Sequence, residues 1–138
     1  MSFQKLDFSN RVRPGGRNVV LLYGFSALEI EILAKVYLES GIDEWVYLDN
    51  QRSDQVISDI LLTITDNQGI EFVKQKDQVI LFNGTSQYEL QQFVTKAGLV
   101  VKNRPLIAMV TSTSKKWKFK DLVTELKQER FELERNGK

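Results

Sequence analysis

The stretch VVLLYGFSALE at residues 19–29 returns sixty positions later as VILFNGTSQYE at residues 79–89. In both, an apolar run leads to a glycine, then a serine two positions on, then a glutamate three further. Val19 to Leu22 and Val79 to Phe82 are unbroken apolar runs, which suits strands covered on both faces. Gly24 and Gly84 permit a sharp turn. Ser26-Ala27-Leu28-Glu29 and Ser86-Gln87-Tyr88-Glu89 each fit the capping box, in which serine and glutamate satisfy each other's backbone N–H groups at a helix start. Each copy therefore reads as strand, turn and capped helix.

Outward from these stretches the pattern continues. Ile30, Leu33, Ala34, Tyr37 and Leu38 recur at helical spacing, and Ser40-Gly41 ends that helix. Trp45 to Leu48 reads as a second strand closing at Asp49. Ser53 or Asp54 then caps a helix with Val56, Ile57, Ile60, Leu61 and Ile64 as its apolar stripe. Asp66 to Gly69 is a turn cluster, and Ile70 to Lys74 a short strand hairpinned to the next through Gln75 to Asp77. In the second copy Leu90, Phe93 and Val94 lead the helix and Ala97-Gly98 ends it. Pro105 opens the strand Leu106 to Val110, and a last helix places Phe119, Leu122, Val123, Leu126 and Leu133 on one face.

The expected fold is α/β, a single domain of two β-α-β-α halves, residues 19–64 and 79–133, with a mostly parallel sheet and helices on both faces. The right-handed crossover rule makes each β-α-β unit a parallel pair. Residues 1–18, with Pro14-Gly15-Gly16, form a mobile lead-in, including a short edge strand around Phe3 to Phe8; the domain proper is 19–138. The two glycine bends line up along one rim.

Composition removes whole chemistries. The 138 residues contain no Cys and no His. Disulfides, thiolate nucleophiles, sulfur metal sites and Ser-His-Asp triads are impossible, and the usual base near neutral pH is missing. No apolar run approaches the ~20 residues of a membrane span. No signal-peptide core precedes Val19, so the cytoplasm is the default compartment. Net charge is +1, yet residues 1–74 carry 7 basic and 11 acidic side chains and residues 75–138 carry 12 and 7. The two parts attract each other weakly through salt.

Carboxyl ends of strands are where α/β sheets bind ligands, and helix N-termini there suit anions. Asn83, Gly84 and Thr85 thus join Thr111, Ser112, Ser114 and Trp117 as candidate ligand-binding residues. Lys115, Lys116, Lys118 and Lys120 form a basic patch around the indole, a possible platform for phosphate or RNA. A capped helix after a turn and a sheet-end plug explain the same letters without any ligand. GxxxxGK[ST], GxGxxG and GxSxG are all absent. Asp49 lacks the acidic pair and late Lys of a phosphoacceptor site and reads as a cap or surface residue. Glu125, Glu129, Arg130, Glu132, Glu134 and Arg135 read as a solvated helix face.

Pro105-Leu106-Ile107-Ala108-Met109-Val110-Thr111, then Ser114, Trp117-Lys118-Phe119, Leu122, Glu125-Leu126 and Glu129-Arg130, resembles the domain of unknown function 3783 family over residues 78–133. Leu81-Phe82-Asn83-Gly84 resembles that family's strand-turn. The resemblance implies a small cytoplasmic bacterial protein, mostly of Firmicutes such as clostridia. It brings no activity. The expected function is a non-catalytic binding or interaction module without cofactor or metal, taking a protein partner or a second copy. The alternatives are an anionic-ligand protein or enzyme at the Gly84–Thr111–Trp117 crevice, and RNA binding through Lys115 to Lys120. Nucleic acid is the less expected partner, and no membrane association is expected.

Overall fold

The computed structural model describes residues 9–136. The edge strand expected around residues 3–8 lies outside them. Strand β1 (Val19–Tyr23) leads through helix α1 (Ala27–Glu39) to β2 (Glu44–Leu48), a 3-10 turn at 52–54 and helix α2 (Ile57–Thr63). After a long connection come β3 (Val79–Asn83), helix α3 (Gln87–Lys96), the single turn α4 (Gly98–Val101), β4 (Leu106–Met109), a 3-10 turn at 114–116 and helix α5 (Phe119–Asn136). Both capping boxes are formed, on Ser26 with Glu29 and on Ser86 with Glu89.

The sheet is mixed, not mostly parallel. Its order is β2-β1-β3-β4. β1 runs parallel to β2 and β3 parallel to β4, but the central pair β1–β3 is antiparallel, with Leu21 opposite Leu81. The apolar runs reported burial on two faces, and burial is indifferent to strand direction. Alternation along β1 sends Val19 and Leu21 to one face, against α2 and α5, and Val20 and Leu22 to the other, against α1, α3 and α4. All four side chains are fully buried, each contributing roughly 1.5–3 kcal/mol.

The connection at 64–78 decides the direction of β3. It forms no strand, contrary to the reading of Ile70 to Lys74. Asn67 instead mimics one: its Oδ1 accepts from the Tyr47 N–H (2.7 Å) and its Nδ2 donates to the Trp45 carbonyl (3.2 Å), closing the outer edge of β2. Phe72 stacks edge-on with Tyr47, whose hydroxyl donates to the carbonyl of Phe25 or Val73. The Gln75 N–H then reaches the Gly24 carbonyl (3.0 Å). The chain has climbed the length of the sheet, so β3 starts where β1 ends.

Other sequence expectations shift by smaller steps. Val56, not Ser53 or Asp54, precedes α2, without a side-chain cap. Asp49 accepts from the Arg52 N–H (2.8 Å) and so caps the 3-10 turn. Leu133 does not join the buried face of α5; it is exposed together with Phe131. Residues 10–18 carry a row of contacts to the fold. The Asn10 carbonyl accepts from Tyr88, and the Arg11 guanidinium stands 3.7 Å over the Tyr88 ring. Arg17 forks onto Glu44 and also donates to the Leu61 and Ile64 carbonyls.

Candidate functional site

Antiparallel pairing of β1 with β3 sets Tyr23 beside Val79 and Val19 beside Asn83. Gly24 and Gly84 therefore sit at opposite ends of the sheet, and the single rim expected from the sequence is not formed. Each bend is sealed by the chain that precedes the other central strand. A Cβ on Gly24 would collide with the Asp77 carbonyl, and one on Gly84 with the Arg17 carbonyl. Both glycines have positive φ, +84° and +65°.

At the Gly84 end the polar groups are already matched. Asn83 Nδ2 donates to the Arg17 carbonyl (2.7 Å), and the buried Thr85 hydroxyl lies 3.0 Å from Asn18 Oδ1. At the start of α3 the Ser86 N–H donates to the Glu89 carboxylate (3.0 Å), the Glu89 N–H to the Ser86 hydroxyl and the Tyr88 N–H to the Asn10 carbonyl; the same carboxylate holds Arg13 at 2.7 Å. Burial pushes that carboxyl up, but the bonds from Arg13 and Ser86 outweigh it and leave it below the ordinary glutamate value. The helix N-terminus thus has its own anion. Val110 donates to the Phe82 carbonyl, which brings Thr111 to this same end. Thr111 and Ser114 cap each other, N–H to hydroxyl at 2.9 and 3.0 Å. Ser112 is exposed.

Trp117 belongs to a clasp on the α2–α5 face. The Ile57 N–H donates to the Trp117 carbonyl (2.8 Å) and the Phe119 N–H to the Gln55 carbonyl (3.0 Å), an antiparallel bridge centred on Val56 and Lys118. The indole packs half-buried against that core. Within the basic patch, Lys120 pairs with Asp54 at 2.6 Å, and Lys118 lies in the bridge. Lys115 and Lys116 are exposed on the 3-10 turn.

Two clefts open at the other end of the sheet, where β1 and β2 finish and β3 and β4 begin. One, of about 230 Å³, lies beyond β1 and β2 among Tyr23, Gly24, Tyr47, Asp49, Asn50 and Glu71. Its charged groups are carboxylates. Tyr23 donates to Asn50 Oδ1 (2.9 Å), and burial raises both tyrosines above the usual phenol value. The second, of about 220 Å³, lies at the start of β3 and β4. Lys76, Arg104, Lys127 and Arg130 line it with Asp77 and Glu134. Residues 75–77 divide the two.

Sequence reasoning missed the second cleft. Its legible signal was the spacing of Lys127, Arg130, Phe131 and Glu134, which stacks them along one stripe of a helix. Arg130 is not merely solvated: it donates to the carbonyls of Arg104 (2.7 Å) and Pro105 (2.9 Å). Among the described residues no group of His, Cys, Asp and Glu could hold a metal ion, and no helix is long and apolar enough to cross a membrane.

Comparison with known proteins places the basic cleft largely inside a family segment. No curated protein and no solved structure matches the chain. The family model described as Domain of unknown function (DUF3783) matches residues 78–133, from the residue before β3 to well along α5. That segment, which carries β3, β4, the Trp117–Phe119 side of the clasp and Arg130, matches this family.

Proposed function

We propose that the protein is a non-catalytic binding module whose ligand face is the sheet end where β1 and β2 finish and β3 and β4 begin. The observation that carries this reading is the pair of clefts at that end, one lined by carboxylates and the other rich in cations. The opposite end, favoured by the sequence, has its glycine bend and helix N-terminus filled by the chain's own groups. Support for a non-catalytic role comes from the direction of the pKa shifts. Glu29, Glu44, Asp54 and Glu89 move down, Tyr23 and Tyr47 up. All move away from neutrality, the reverse of a group tuned for proton transfer. The cytoplasm is the compartment this reading assumes.

The same proposal includes an internal duplication, with residues 19–64 and 79–133 as its copies. Leu21 faces Leu81, its own counterpart sixty positions on, and Asp77 closes Gly24 as Arg17 closes Gly84. A two-fold relation between copies would produce such reciprocal pairs.

The test is a screen of small soluble fragments against the 15N-labelled full chain. Hits should move the amide signals of residues 49–51, 71–77, 103, 104 and 106. Hits that instead cluster on Gly84, Thr111 and Trp117 would return the ligand face to the opposite end. Light scattering on the same sample reads whether a second copy is the partner.

A further inference from the structure

The cleft at the start of β3 and β4 holds a surplus of positive charge that no internal contact uses up. Four cations face two carboxylates across about 220 Å³. Arg130 spends its hydrogen bonds on two backbone carbonyls, which fix the guanidinium without neutralising it. Lys127 pairs with Asp77 at 3.0 Å, and Arg104 pairs with Glu134; both pairs are well exposed. Exposed pairs of long side chains are weak and exchange a partner readily. Lys76 is exposed, and among the described residues no carboxylate pairs with it. The floor is the buried Leu106, and the half-exposed Phe131 ring stands in the α5 wall.

We propose that this cleft binds a small, multiply charged phosphate-type anion, with Lys76 and Lys127 as its mobile contacts and Arg130 as a fixed positive background. The inference rests on the reading that this end of the sheet is the ligand face, and it names the ligand class. Compact oxyanions suit lysine ammonium groups, which act as point charges and need no fixed geometry. The neighbouring carboxylate-lined cleft supplies an internal control, since Asp49 and Glu71 would repel the same anion.

The experiment titrates the 15N-labelled full chain with inorganic pyrophosphate at constant ionic strength, against sodium chloride alone. Saturable shifts are expected at Lys76, Asn103, Arg104 and Lys127, with residues 49–51 still. The double variant Lys76→Gln, Lys127→Gln should weaken binding roughly tenfold, and Glu134→Gln should tighten it about twofold to threefold, by removing repulsion and freeing Arg104. A purely structural Glu134 would give no tightening. Circular dichroism melts confirm that each variant is folded. Shifts no larger than those with salt, shifts centred on 49–51, or unchanged affinity in the lysine variant would overturn the proposal. If fragments bind at this sheet end while pyrophosphate does not, only the ligand class falls. If neither binds, the ligand face falls too.

Discussion

Single positions in this chain are constrained by backbone more than by side chains. Gly24 combines positive φ with the Asp77 carbonyl lying where a Cβ would go, whereas Gly69, at φ +72°, has nothing within 4 Å. Gly69→Ala should therefore cost only the left-handed penalty, about 1–2 kcal/mol. Gly24→Ala adds a displaced strand entrance and should cost at least about 3 kcal/mol, read from urea midpoints at unchanged slope. Glu89 gives a pH signature. Its folded carboxyl lies below its ordinary 4.5, so its contribution is present above that value and is lost as pH falls through the lower folded value. Glu89→Gln should then be less stable than wild type at pH 7, the gap closing below pH 4.5. The capping boxes were legible because they are local. The partners of their glutamates were not, since Arg13 lies 76 positions from Glu89.

At the scale of elements, α5 is one helix with two characters. Phe119, Leu122 and Leu126 are buried against the sheet, while Phe131 and Leu133 are more than half exposed. Phe119→Ala should cost about 3–5 kcal/mol, whereas Phe131→Ala should stay within about 0.5 kcal/mol, both measured by chemical denaturation. Helical spacing alone put Leu133 in the same stripe as Phe119, because periodicity records a face and not how far the core extends beneath it. The expected parallel direction failed for a related reason. An apolar run such as Val19 to Leu22 reads the same whichever way its neighbour travels. The clue was the length of the 64–78 connection. An αβ loop feeding a parallel neighbour normally takes about 2–6 residues. A longer one, holding Asn67 to close an edge and Phe72 to pack on Tyr47, has room to cross the sheet.

For the whole molecule, one sheet serves two cores, so neither core can melt alone. Leu21 and Leu81 belong to one cluster, and their chain neighbours Leu22 and Ile80 to the other. Heat or urea should give a single transition, with amide exchange slowest in β1 and β3, which are paired on both sides, and faster in β2 and β4. Separate transitions by tryptophan fluorescence and circular dichroism would contradict this. The candidate site was the least legible feature of all. The sequence pointed to Gly84 and Thr111 by a rule for parallel sheets, and the antiparallel centre moved the open clefts to the other end.

The reciprocal closure of Gly24 and Gly84 bears on synthesis at the ribosome. A nascent chain that has emerged only as far as residue 70 can pair β1 with β2, but its other flank has no ladder and its first bend no lid. Leu21 and Leu22 then stay on an uncovered margin until β3 leaves the exit tunnel. Translation pauses while residues 71–84 are still inside the exit tunnel should consequently lengthen the interval in which chaperones, or another half-made chain, can capture the protein.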